Sequence, residues 1–560
     1  MTLHSPSGPA PQKVASVASS STTDRSAMPT FRRALSDNEL SYYLPSRAFG
    51  MNDINVMLTF EAPKDLITPI RVRTAWAILR LRHSLLASRV EMEAGRYDEA
   101  CFVYTPPASP MEAMEEGSRS LTTFAGLSGA ELIDDCMNQT RKLSAASLTY
   151  LQVELENDVS PGVGAYKMML YTPHFVLDAR GIYALHNELL EMMGGHYGSE
   201  LRPKTDAELV KMLESEWMRR WDRPQDAQDA IVPSSESRLK VPQSAVDLAE
   251  YKTDYENVQK QFSGAHAFPR SKAYDHHCRL LQAKFSPRQS TTMLSKCKRE
   301  AVTIQSAMFS VISFAYLLLR ERRPDLSPDK TLPILMYTAI NIHAQLHPLS
   351  KLASKTFLAL TYHNVMLPAF LPARDKHKAF WQRSRDVQKQ MHTYTRNPSI
   401  AGRSLAAAAE RAERAKHWAR FDDEANGTLP PSPKVAVVAK AAEAPAVPSI
   451  ALIGVSQVGL TTGIYRTERY PTIKVTDVVG ATRKGPGGLF FYTRTFFGRF
   501  HMMLQWETSV FADGLMEEFY DYLLEVIHEY MLQDPQMRTR SEMELEGYDK
   551  RPAPRARAKL

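Results

Sequence analysis

The sequence predicts a mixed α/β (α+β) protein of two domains, each a mixed sheet with helices against it. Three observations carry that expectation. At 560 residues the chain exceeds what one hydrophobic core usually holds, and its 44% hydrophobic content is that of an ordinary globular protein. Apolar residues alternate at the strand period in some stretches and recur at the helical period in others. These stretches fall into two strand-and-helix series on either side of a polar, proline-interrupted segment, residues 222–270.

Residues 1–38 are rich in Ser, Pro, Thr and Ala and read as disordered. The first domain, 39–225, opens with a loop and a strand carrying Ile54, Val56, Leu58 and Phe60. An amphipathic helix follows over 70–86, then the start of a strand at 88–92. Residues 106–127 form a loop with a short helix at 111–118. Strands at 148–156 and 165–171 pair with each other, and a further helix covers 206–221. A crossover linker, 226–277, leads to the second domain, 278–541. There a strand (278–285), a helix (287–298), a buried helix from Thr303 and a fully buried strand (333–342) follow in order. Strands at 450–455, 473–479, 488–496 and 499–507 precede a last helix, 511–532, with Phe519, Leu523, Ile527 and Met531 on one stripe. Residues 398–448, a helix former at 404–420 followed by low-complexity sequence, read as a surface insertion without function. Residues 542–560 read as a basic, unstructured tail.

Charge and cysteine usage narrow the function classes. The net charge of +7 is a mixed balance of 69 basic and 62 acidic residues, without the basic-aromatic motifs of nucleic-acid modules, so no nucleic-acid partner is expected. Such a bias suits an anionic ligand. Cys101, Cys136, Cys278 and Cys297 are scattered, with no CxxC, and predict free thiols in a reducing compartment. The N-terminus lacks the apolar core of a signal peptide and no apolar run reaches the length of a membrane span, which predicts a soluble chain, expected to be a monomer. His276, His277, His343, His347 and His363 fall in no HExxH arrangement, so no metal site is expected.

The stretch with chemistry in it runs from Met168 to Glu191. A strand-like run breaks at Pro173, a polar turn from His174 to Gly181 follows, and a helix resumes with Ile182, Leu185, Leu189 and Met192 at helical spacing. A histidine at a strand end, a carboxylate four residues on and a glycine opening a helix are the parts needed to aim an imidazole at a substrate proton. His174 and Asp178 form the chain's one His-x-x-x-Asp pair. Read on residues alone, they fit a catalytic base and, equally, a satisfied core histidine. No G-x-S-x-G elbow accompanies them.

His174 to Gly181 resembles the HxxxD motif of the chloramphenicol-acetyltransferase-like superfamily, which includes condensation domains and CoA-dependent acyltransferases. Residues 79–90 (LRLRHSLLASRV), 301–319 and 493–519 are similar to further segments of that family, so the resemblance covers most of 39–541. It implies two chloramphenicol-acetyltransferase-like domains with an active-site tunnel between them. It also implies acyl transfer from acyl-CoA, a co-substrate and not a tightly bound cofactor, to a hydroxyl, with His174 as general base and Asp178 structural. In relatives that aspartate pairs with an arginine on the strand corresponding to 337–346. Asn341-Ile342-His343 stands there instead, which leaves His343, Arg180 or another arginine as its partner. Gly181 would shape the turn and Thr495 would position substrate or the oxyanion. Pro173 replaces the first histidine of the condensation-domain signature, which favours O-acylation, and Asp477-Val-Val-Gly480 only loosely echoes the DFGWG motif.

The chain ends in Ala558, Lys559 and Leu560, an S-K-L-type peroxisomal address for an import receptor. With that address, the chain most resembles the acyltransferases of fungal mannosylerythritol lipid biosynthesis. The expected reaction is therefore transfer of a medium or long fatty acyl group to a sugar-alcohol glycoside, in the peroxisome. The runner-up is an acetyl-CoA-dependent O-acetyltransferase similar to the trichothecene 15-O-acetyltransferases, and a further alternative is a non-catalytic binding protein.

Overall fold

The computed structural model describes residues 28–547 except 156–161, 198–199, 222–229, 265, 271–274, 324–325, 327–331, 351–352, 432–450 and 533–543. The Ala558–Lys559–Leu560 address lies outside the described residues.

Two sheets organise the molecule. The five-stranded sheet runs, in spatial order, Lys474–Thr482, Asp53–Pro63, Val163–Pro173, Tyr150–Glu154 and Leu121–Phe124. The seven-stranded sheet runs Leu360–Leu367, Ile334–Asn341, Gly454–Leu460, Leu489–Phe496, Arg499–Glu507, Cys278–Lys284 and Glu544–Gly547. Both sheets mix parallel and antiparallel pairs. Helices cover them: Pro69–Arg82 and Ala179–Gly194 belong to the first core, which includes Trp76, Phe60 and Leu185. The Ile304–Arg322 helix, capped by Thr303, is the spine of the second, with Phe309, Phe314 and Phe519. This is the two-domain mixed architecture expected.

The halves are latched together by an exchanged strand. Lys474–Thr482 belongs by sequence to the second half, yet it pairs antiparallel with Asp53–Pro63 at the edge of the first sheet, from Lys474 opposite Glu61 to Thr482 opposite Ile54. The chain then returns through Lys484–Gly485–Pro486–Gly487–Gly488 to Leu489–Phe496 in the other sheet. This run is thus a crossing between sheets, and Gly487, at φ +72°, takes a backbone conformation that side chains disfavour.

Four expectations are corrected. The Phe31–Ala34 strand lies inside the segment read as disordered, held by antiparallel pairing with Cys101–Tyr104 and by two 2.8 Å bonds from Arg33 to Glu39. Residues read as a loop form the Asp37–Phe49 helix. Ser36 and Glu39 make a reciprocal capping box there, and Gly50, at φ 71°, ends the helix, which outweighs Pro45 within it. The crossover linker contains the Ala245–Gln259 helix, whose start is a Ser244–Asp247 capping box and which has no fully buried residue to betray it by periodicity. The supposed tail contributes Glu544–Gly547 to the seven-stranded sheet.

The fifth correction bears on function. The alanine-rich segment read as a spare insertion is the 26-residue helix Ile400–Ala425. Ala408, Ala412, Ala415 and Ala419 are buried on one face, which lets the helix lie close to Asp37–Phe49 and Ala245–Gln259. Arg403 pairs with Asp254 at 2.6 Å, and Arg47 with Asp423 at 3.1 Å. All four cysteines are free thiols. Among the described residues no single helix is long and apolar enough to cross a membrane.

Candidate functional site

The strand Val163–Pro173 ends where Pro173 can donate no further ladder bond. His174 follows at once, then Phe175, Val176 and Leu177, all buried, and Asp178 caps the Ala179–Gly194 helix by accepting the Gly181 N–H at 3.1 Å. Three apolar anchors and one helix cap therefore fix the turn that presents the imidazole. Gly181 sits within the first helical turn, where its N–H donates to Asp178 and a Cβ would meet the Leu177 Cβ at 3.2 Å, so the missing side chain lets the preceding turn pack against the helix.

His174 lines a cavity of about 1480 Å³ with walls from both halves. That exceeds the roughly 300–1,000 Å³ of a drug-sized pocket. The ring is half-buried. Its Nδ1 is buried and pairs with no side chain, the backbone of His174 and Leu177 lying against the ring, which leaves Nε2 for the cavity. Burial pushes its pKa down to about 4, and the charges of Lys484 and Arg411 act in the same direction against the opposing backbone of His174 and Leu177. The sequence suggests a near-neutral pKa at a solvent-reachable strand end. Enclosure by protein lowers it further, and the imidazole is neutral at physiological pH.

Asp178 is 2% exposed and has no arginine or histidine partner among the described residues. Burial raises its pKa to about 6, partly offset by the backbone N–H groups of Gly181, Ala359 and Arg180, and its Oδ2 is unpaired. His343 lines the same cavity, but its Nδ1 lies 3.0 Å from Asn341 Oδ1 and its ring rests on Phe357 at 5.0 Å. Asn341 folds back on it, so neither His343 nor Arg180 closes the expected pair. The linkage has a sign that can be measured. A carboxyl group whose pKa rises from 3.8 unfolded to about 6 folded contributes stability below about pH 4 that is lost as pH rises through 6. Asp178→Asn keeps the oxygen that accepts the Gly181 N–H and carries no charge. Its Tm should therefore gain on the wild type between pH 4 and 7, by no more than about 3 kcal/mol of stability. A Tm difference that stays flat over this range would contradict the assignment.

Thr495 is not in the cavity wall; its carbonyl accepts the Thr461 N–H and hydroxyl. On the same strand the wall is made by Phe490, Tyr492, Thr493 and Arg494. With Tyr337 and Tyr362 from Ile334–Asn341 and Leu360–Leu367 of the same sheet, Phe490 and Tyr492 form a wall of half-buried aromatic rings. Gly454 lies in register between Tyr337 and Phe490, and a Cβ there would come within 2.7 Å of the Tyr337 ring and 2.8 Å of Phe490. The two rings can lie edge to face, 5.7 Å apart, because that position is glycine.

Two cations in the wall escape sequence reasoning. Lys484 is 5% exposed; its Nζ donates to Tyr492 Oη at 2.8 Å and stands 3.6 Å from the Phe490 ring centroid. Burial lowers its pKa to about 7. Arg411 reaches the cavity from the Ile400–Ala425 helix. Nothing local marks Lys484, in a glycine-rich run, as buried. For Arg411 the spacing of Ala408, Ala412, Ala415 and Ala419 at four, three and four residues is a signal that the helix is docked and not spare.

No protein-family model matches the chain, and no curated protein matches it. Solved structures do. TRI3 trichothecene 15-O-acetyltransferase from Fusarium sporotrichioides is similar with a TM-score of 0.65 at 12% identity, over 91% of this chain and 98% of that one. SgcC5 from Streptomyces globisporus follows with a TM-score of 0.52 at 11% identity, over 90% and 99%. The EpoB NRPS cyclization-docking bidomain from Sorangium cellulosum has a TM-score of 0.51 at 11% identity, over 90% and 86%. At these identities the likeness is one of fold: the chain has the chloramphenicol-acetyltransferase-like, condensation-domain fold, its two halves meeting at the cavity that His174 lines.

Proposed function

We propose that the protein is an acyl-CoA-dependent O-acyltransferase in which His174 is the general base. The observation that carries this reading is a neutral imidazole on the cavity wall whose Nδ1 is buried, so that Nε2 is the nitrogen available to a substrate. Nε2 takes the proton of an acceptor hydroxyl as its oxygen attacks the thioester carbonyl. The tetrahedral intermediate collapses, the C–S bond breaks, and the leaving thiolate takes the proton from the imidazolium. No covalent acyl-enzyme is needed, because the thioester is already activated. Asp178 touches neither substrate; it holds the turn through helix N–H groups. A cavity of about 1480 Å³ has room for a donor and an acceptor together.

The substrates proposed are a medium or long acyl-CoA and a mannosylerythritol-type glycoside, in the peroxisome. This finer reading rests on the family resemblance of the sequence together with its Ala558–Lys559–Leu560 terminus. The second reading, an O-acetyltransferase, is favoured by the TRI3 likeness over nearly the whole chain. Free-thiol release from donors of two to sixteen carbons, with mannosylerythritol as acceptor, separates the two. Rates should rise with chain length, since each buried methylene adds about 0.8 kcal/mol of binding. A strict preference for acetyl-CoA would move the assignment to the second reading, and no release from any donor would sink both. Removing residues 558–560 should leave these rates unchanged while shifting the acyl chains found in the cellular product; an unchanged product profile would remove the peroxisomal part.

A further inference from the structure

Arg411 stands in a stack that reaches His174. Its guanidinium carbon lies 4.1 Å from the centroid of the Tyr362 ring and 5.0 Å from that of Tyr42, and the Tyr42 ring lies 4.6 Å from the imidazole at a tilt of 31°. Four separate parts of the chain meet there: the turn after Val163–Pro173, the helix Asp37–Phe49, the helix Ile400–Ala425 and the strand Leu360–Leu367. The guanidinium has no carboxylate among the described residues, and its Nε is buried without a hydrogen-bond partner. Two ring faces are what hold this cation. Tyr42 in turn touches both the cation and the imidazole, so the position of one ring depends on the other's neighbour.

We propose that Arg411 is a positioning residue for His174, acting through Tyr42: it fixes the ring against which the imidazole rests and holds a positive charge beside it. The proposal rests on His174 being the base. The charged and titratable groups that act on the imidazole are Tyr42, Arg411 and Lys484, the last from the loop before Leu489–Phe496, while Asp178 in the same turn is engaged with the Gly181 N–H. Both cations oppose protonation of the ring. A fixed cation makes a base weaker but wholly neutral. Near pH 7 an ordinary imidazole is already mostly neutral, so the charge is felt at acid pH and the stack is felt at every pH.

Substitution separates these two effects. Arg411→Met removes charge and plane, while Arg411→Lys keeps the charge without the plane. With octanoyl-CoA and mannosylerythritol, R411M should lower kcat about ten- to a hundredfold, the cost of misplacing a reacting group. The acid limb of kcat/KM should also move to higher pH. R411K should return the acid limb to its wild-type position while kcat stays low. A readout that needs no acceptor is NMR titration of ring-labelled histidine, the His174 signal being the one lost in His174→Ala. Its midpoint should rise in R411M and hold in R411K. If R411M does not fold, Tyr42→Leu carries the positional half, with kcat falling as in R411M. A midpoint unmoved in R411M, with kcat per folded enzyme within about twofold of wild type, overturns the proposal and leaves Arg411 a packing residue. Should His174→Ala retain full turnover, the base reading fails, and the titration alone then decides whether Arg411 sets the charge around this ring.

Discussion

His174→Ala should lower turnover by about two to four orders of magnitude, the usual contribution of a positioned general base, and should leave the Tm almost unchanged. Both halves of that expectation follow from the same geometry. The ring is half-buried on the wall of a cavity, and it is paired with no side chain among the described residues that alanine would strand. Phe175, Val176 and Leu177, each 1% exposed or less, hold the turn whether or not the imidazole is there. The loss should fall on kcat, with donor KM little changed, because the base acts only as the proton moves. Turnover measured by thiol release and Tm by thermal denaturation on the same preparation decide it. Turnover within about tenfold of wild type would make His174 a wall residue, and a loss matched by a collapse in Tm would make it a structural one.

What the sequence made legible follows from how local each feature is. The Arg499–Glu507 strand and the Asp206–Trp221 helix are readable residue for residue, because alternation and helical spacing are written within the segment. His174 is legible for the same reason: proline, histidine, aspartate and glycine stand within nine residues of one another. The Lys474–Thr482 strand is legible as a strand but not as a member of the other half's sheet, since its partner is more than four hundred residues away, at Lys474 opposite Glu61. Lys484 and Arg411 became part of the site only through such long-range closure. Asp178 shows the converse limit. A partner residue was expected from relatives, whereas here backbone N–H groups do the holding, and backbone donors leave no mark in a sequence.

Asp423→Ala should be the largest stability loss outside the two cores. The Asp423 carboxylate is buried at the far end of the Ile400–Ala425 helix, where its Oδ2 accepts from Arg47 at 3.1 Å and from Tyr97 Oη at 2.8 Å. Tyr97 is itself 7% exposed, and burial with this hydrogen bond pushes its pKa up to about 12. The Arg47 guanidinium also lies 5.5 Å from the Tyr97 ring centroid. Removing the carboxylate would leave a largely enclosed guanidinium without its counter-ion and a buried hydroxyl without its acceptor. Breaking such a pair from one side costs about 3 kcal/mol or somewhat more. Asn, which keeps an acceptor for Tyr97, should cost less than Ala. The effect should also reach the chemistry. Asp423 lies twelve residues along the helix from Arg411, about 18 Å at 1.5 Å per residue, and it fastens that helix to Asp37–Phe49, which carries Tyr42. Thermal denaturation of Asp423→Ala and Asp423→Asn, with kcat measured below the transition, tests both claims. A Tm within a degree or so of wild type for Asp423→Ala, at unchanged kcat, would mean that the alanine-rich helix is the spare insertion its composition suggests.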